Sequence, residues 1–121
     1  MIELRTAITA KLKTIHPRVY FQQAPSTVAF PYLVFDIPNI FDDGEGTETA
    51  TVDVDAWDNS ADTTALEVLI TLVNAGLNKS TLTSGNLTAT FYLDTKTPLT
   101  DDDPTIRRRK YIYQAKLFKR G

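Results

Sequence analysis

The chain contains no cysteine, which excludes disulfides, thiolate nucleophiles and cysteine-ligated zinc or iron–sulfur centres together. Histidine occurs once, as His16. A catalytic base at that position would need a nucleophile and an orienting acid, and the sequence signals neither. Pro17 ends the preceding helix, so His16 sits where a cation is stabilised by the negative end of the helix dipole. No apolar run approaches the roughly 20 residues of a membrane span. The opening MIELRTAITAKLKTI alternates charged and apolar residues, unlike the continuous apolar stretch of a signal peptide. A charge excess is also missing. The 13 basic residues meet 15 acidic ones, for a net charge of -2, so any nucleic-acid contact would have to come from a local patch. These absences lead us to expect a soluble cytoplasmic protein.

What is present is ordinary globular material. At 121 residues and 42% hydrophobic, the chain is long enough to bury a core, and we expect a single domain over residues 1–121. Leu4, Ile8, Leu12 and Ile15 recur at helical spacing, and a second helical stripe comprises Leu66, Leu69, Ile70, Val73 and Leu77. Asp58, Asn59 and Ser60 precede this second helix as capping residues, the Asp62 carboxylate suits the positive dipole end of its first turn, and Gly76 and Asn78 mark its end.

Strands are expected at Arg18–Phe21, Phe30–Ile37, Thr49–Ala56, Leu87–Leu93 and in the segment after Arg107. An acidic glycine-containing loop joins the second and third of these as a hairpin, and Thr95 to Pro104 reads as a polar loop. The resulting order is α-β-β-β-α-β-β. Strands joined by short loops pair antiparallel, and two amphipathic helices need an apolar sheet face. The expected fold is therefore α+β, an antiparallel or mixed sheet with both helices packed on one face.

Two sets of charged residues could carry chemistry. Asp53 and Asp55 share a strand face about 7 Å apart, a spacing that could serve acid–base catalysis or hold a cation. The surrounding sequence fails the calcium-loop pattern, and a solvated face paired with basic residues across the sheet explains it as well. The second set runs from Asp101, Asp102 and Asp103 to Arg107, Arg108, Arg109 and Lys110. Three consecutive carboxylates are too few to define a metal site, and a strand turns at most two of the four cations to one side. The aromatics Tyr111, Tyr113 and Phe118 beside the cations suit sheet packing or a protein contact. No catalytic constellation, cofactor motif or metal motif emerges.

The arrangement as a whole resembles the small tail-completion proteins of long-tailed bacteriophages and prophages, the tail terminator or tail-to-head joining family. The residues that carry the likeness are Phe30-Pro31-Tyr32-Leu33-Val34-Phe35, then Val52-Asp53-Val54-Asp55-Ala56-Trp57 before the second helix, and the last strand from Arg107. The resemblance implies a structural virion protein and not an enzyme. It implies assembly in the host cytoplasm into a ring, usually six-fold, on the head-proximal end of the tail tube. Implied partners are further copies of the chain, the tail-tube protein and a head-connector or completion protein, with DNA only passing through the lumen. A head-completion or neck protein is the alternative within that reading; an enzyme using Asp53 and Asp55 is the alternative outside it. A ring needs two different complementary patches. An acidic group (Asp42, Asp43, Glu45, Asp101, Asp102, Asp103) and a basic group (Arg107, Arg108, Arg109, Lys110) would supply them. Reversing the charges of Arg107 to Arg109 is then expected to weaken assembly and leave the fold intact.

Overall fold

The computed structural model describes residues 2–42, 44, 47–100 and 103–119. Two helices, α1 (Ile2–Lys13) and α2 (Thr64–Leu77), accompany six strands: β1 (Val19–Phe21), β2 (Tyr32–Asp42), β3 (Glu48–Asp58), β4 (Thr81–Ser84), β5 (Leu87–Thr100) and β6 (Arg107–Lys119). They form one six-stranded sheet in the order β1-β2-β3-β6-β5-β4. The α+β class is as expected, and the sheet is mixed: β1 runs parallel to β2, with Val19 beside Leu33, and every other pairing is antiparallel. Among the described residues no helix is long and apolar enough to cross a membrane.

The element order departs from expectation at β4. This strand is short and rich in Thr and Ser, so its sequence carries little apolar alternation. It pairs with β5 through a tight turn in which Gly85 adopts φ +56°, a left-handed conformation natural to glycine. The expected loop Thr95 to Pro104 is also displaced, because β5 continues to Thr100 opposite Arg107.

Two irregularities interrupt the long strands, and each lies close to a proline. Asp36 pairs with Asp53 and Asn39 with Thr51, so Ile37 and Pro38 together oppose Val52. Leu93 pairs with Tyr113 and Thr95 with Ile112, which leaves Asp94 as an extra residue; Pro98 follows within the same strand. Both are β-bulges, which bend a strand and sharpen its twist. Pro38 therefore does not end the second strand, as its sequence suggested.

The helices obey their apolar spacing. Leu4, Ile8 and Leu12 of α1 and Leu66, Ile70, Val73 and Leu77 of α2 are fully buried. They share one core with Leu33 and Phe35 of β2, Ala50, Val52, Val54 and Ala56 of β3, Ala89 and Phe91 of β5, and Tyr113 and Ala115 of β6. Burying a side chain of this size contributes about 1.5–3 kcal/mol, so the core strongly favours this arrangement. Tyr113, read beforehand as sheet packing or a protein contact, is wholly buried, and its hydroxyl donates to Asn74 Oδ1 at 2.9 Å.

The details of α2 differ from expectation at both ends. At its start the N-cap position is Thr63 rather than Asp58, Asn59 or Ser60, while Asp62 serves the first turn as expected: its Oδ1 accepts from the Thr64 amide at 2.9 Å and from the Thr64 hydroxyl at 2.6 Å. Asn78 is the C-cap, but Gly76 lies inside the helix. A Cβ on Gly76 would sit 3.0 Å from Ile15 Cδ1, so this glycine permits a close approach to the segment after α1. His16 also has a definite partner. Its Nε2 lies 2.9 Å from the Pro31 carbonyl oxygen, which also accepts from Arg18 Nε at 3.0 Å. These bonds pin the end of α1 to the start of β2.

Candidate functional site

Strand alternation splits the basic run of β6 between two directions. Arg109 points toward α2, and its Nε donates to Glu67 Oε1 at 2.5 Å. Arg108 and Lys110 point the other way. Both Nε and Nη2 of Arg108 reach Asp55 Oδ2, while Lys110 Nζ lies 3.6 Å from Asp53 Oδ2. Arg107 donates through Nη1 to the Pro104 carbonyl. Among the described residues, three of the four cations therefore have carboxylate partners.

Arg108 also completes an aromatic column. Its guanidinium carbon lies 4.5 Å from the Trp57 ring centroid, and Trp57 stacks on Tyr32 with centroids 6.0 Å apart and planes 9° from parallel. Register explains the column, since Tyr32 pairs with Trp57 and Trp57 with Arg108 across three neighbouring strands. Trp57 Nε1 is buried without a hydrogen-bond partner among the described residues. Beside the column lies a hollow of about 340 Å³ that includes Asp36, Asp53, Asp55, Arg108 and Lys110 in its lining.

Asp53 and Asp55 do share a face, as their spacing required, and each faces a cation. Asp55 is only 6% exposed. Burial pushes its carboxyl above the usual aspartate range, although the Arg108 hydrogen bond and the charges of Arg108 and Lys110 pull the other way. Chemically, this arrangement is a set of internal ion pairs capped by a cation on stacked aromatic rings. Among the described residues, no cluster of three or more His, Cys, Asp or Glu side chains could hold a metal ion.

The two described members of the expected acidic group, Asp42 and Asp103, lie toward opposite ends of the sheet. Asp42 pairs with Glu48 at one end of the sheet, whereas Asp103 precedes Arg107, which pairs with Asp58 at the other. The eleven residues of β3 that join those ends span about 34 Å. Asp103 is held in its own turn, accepting from the amide and hydroxyl of Thr105 at 2.9 and 2.7 Å. Those bonds lower its carboxyl below the usual range. Asp43, Glu45, Asp101 and Asp102 lie outside the described residues. Sequence reading missed the roles of Tyr32, Trp57 and Glu67. The available signal was Trp57 standing two residues after Asp55 on the same strand face, but its partner on β6 is set by non-local register. One expectation changes as a result. Reversing Arg108 and Arg109 would set like charges against Asp55 and Glu67, so it would disturb the fold as well as any assembly.

These features define a class first: a small α+β sheet protein in which Arg108, Arg109 and Lys110 of β6 meet carboxylates of β3 and α2 and whose exposed surface includes several large apolar side chains. The family follows from comparison. The model for "Tail completion protein gp17" matches residues 4–116, and the chain belongs to that family. Among solved structures, a chain from the virion of a native gene transfer agent particle superposes with a TM-score of 0.82 at 14% identity, over 95% of this chain and 94% of its own. A second solved chain superposes with a TM-score of 0.69 at 16% identity, over 99% of this chain and 94% of its own. At these identities the likeness is one of fold. No curated protein sequence matches the chain.

Proposed function

We propose that this structural tail protein, acting as one domain, closes the head-proximal end of a phage tail tube as a six-fold ring and presents a docking surface to the head connector. Its partners are further copies of itself, the tube protein and a connector or completion protein, and DNA passes through the lumen. The observation that carries this reading is the family match across residues 4–116. The fold shared with a virion chain of a gene transfer agent supports a place in the particle. Charged groups toward the two ends of the sheet, Asp42 at one and Asp103 with Arg107 at the other, set register against the tube and connector through electrostatic complementarity, and Asp43, Glu45, Asp101 and Asp102, their neighbours in sequence, add to the same charge. Arg108, Arg109 and Lys110 contribute through the field of their ion pairs.

Native mass spectrometry with negative-stain imaging, across concentration and with isolated tail tubes, tests the proposal. Closed rings of about six copies that cap tube ends are expected on the symmetry argument. Rings that bind a connector and ignore tubes would make the chain a neck protein and overturn the capping role. Arg107→Glu is expected to weaken capping without changing the melting temperature, and undiminished capping by that variant would remove Arg107 from the docking surface.

A further inference from the structure

Helix α2 has a second apolar stripe. Besides its buried residues, Ala65, Val68, Leu72 and Ala75 follow one another at spacings of three, four and three, all exposed. Val68 is 54% and Leu72 51% exposed. A surface helix ordinarily places charged and polar residues on its outer side, yet the sequence TALEVLITLVNAGL carries one charge, Glu67. Val68 and Leu72 border a shallow hollow of about 410 Å³, rimmed by Thr63, Thr64, Glu67 and Thr71.

The other large exposed apolar side chains are Ile2, Phe41, Tyr92 and Phe118. The three aromatics gather on one part of the sheet, on strand positions that alternate away from the core. Phe41 pairs with Thr49, Thr49 with Lys116, and Tyr92 with Gln114. Phe118 follows two residues after Lys116 on the same side, and Lys116 Nζ lies 5.8 Å from the Tyr92 ring centroid. Helix α2 is tied to the opposite, core-facing set through Arg109 and Tyr113, so the two apolar patches point away from each other.

We propose that the outer stripe of α2 receives the Phe41, Tyr92 and Phe118 patch of a second copy of this chain, with Lys116 of that copy set against Glu67. This rests on the ring reading and names the surfaces that would close the ring. The patches match in shape, aromatic knobs against a hollow, and in charge, a cation against the half-exposed Glu67 carboxylate, which Arg109 engages through Oε1. Two different complementary patches are what head-to-tail association requires, with the rotation between successive copies deciding whether it closes, and aromatic anchors with a polar rim are typical of interface cores. The bulges and prolines of β2 and β5 favour packing through faces, because such features discourage strand addition at sheet edges.

The absence of native cysteine makes the test direct. Val68→Cys and Phe118→Cys variants, oxidised alone and as a mixture, are expected to give disulfide-linked dimers in the mixture only. A Val68→Cys variant that links to itself would show helix-on-helix pairing and overturn the proposal. In parallel, Leu72→Asp and Phe118→Asp, both at exposed sites, are expected to weaken self-association roughly thirtyfold, the effect of losing an interface anchor, with the melting temperature of the subunit unchanged. Rings that persist in both variants would overturn this surface and leave the ring reading standing. A wild-type chain that never forms rings, yet cross-links in the mixture, would sink the ring reading and support the contact. No rings and no cross-link would overturn both.

Discussion

The two alternating sets of strand side chains behave differently. On the core-facing set, Ala50, Val52, Val54, Ala56, Phe91 and Tyr113 are fully buried against the helices. The buried Tyr113 phenol there donates to Asn74. On the opposite set, Asp53 and Asp55 meet Lys110 and Arg108, and Phe41, Tyr92 and Phe118 stay exposed. The first set supplies stability through apolar area. The second adds little net energy, because partly solvated ion pairs contribute weakly, but it fixes where charge and aromatic rings stand. Stability and contact surface are thus separated by the pleat of a single sheet.

The largest test of this division is a core truncation. Ile70→Ala removes a fully buried side chain of α2 and is expected to cost about 2–5 kcal/mol, read as a lowered midpoint in denaturant unfolding. A loss below about 1 kcal/mol would mean that the core is not the main source of stability. Arg108→Ala should come next, at roughly 1–3 kcal/mol, because it leaves the nearly buried Asp55 carboxylate without its closest cation. An effect within error would show that Asp55 is hydrated in solution. Smaller still is Tyr113→Phe, expected to cost about 1 kcal/mol for one hydrogen bond, with a double-mutant cycle against Asn74→Ala isolating the pair.

A pH measurement sharpens the comparison on the charged side. The Asp55 carboxyl is raised in the folded protein, so the folded state takes up a proton at a higher pH than the unfolded chain does. Its contribution to stability is full below the ordinary aspartate value and declines as pH rises through the raised one. Asp55→Asn should remove that decline from the stability profile, and an unchanged slope would place its origin elsewhere. Asp62 gives the opposite and smallest effect. Its carboxyl is lowered by the Thr64 bonds, so its support of α2 is present above the ordinary aspartate value and fades as pH falls through the lowered one. Asp62→Ala should lower the melting temperature slightly at neutral pH and not at all in strong acid.

Much of the core could be read from the chain because it follows local periodicity. Leu4, Ile8 and Leu12, the α2 stripe, and the alternation of Tyr111, Tyr113, Ala115 and Leu117 all depend on spacing within one element. What escaped depended on pairing at a distance. Arg108 and Asp55 are separated by 53 positions and Arg109 and Glu67 by 42, so no local pattern could show that the basic run is internally matched. The parallel pairing of β1 with β2 escaped because proximity in the chain suggested a hairpin. The lengths of β2 and β5 were hidden by Pro38 and Pro98, residues that ordinarily end a strand or confine it to a sheet edge.

Those two prolines and the bulges near them have a consequence for the life of the chain before assembly. Subunits that wait in solution before they join a particle meet copies of themselves. A long flat sheet border under those conditions is a seed for fibres. Here the two longest strands near the borders are each kinked and each carry a residue that cannot donate a backbone hydrogen bond. The waiting pool of subunits is thereby protected from templating its own aggregation.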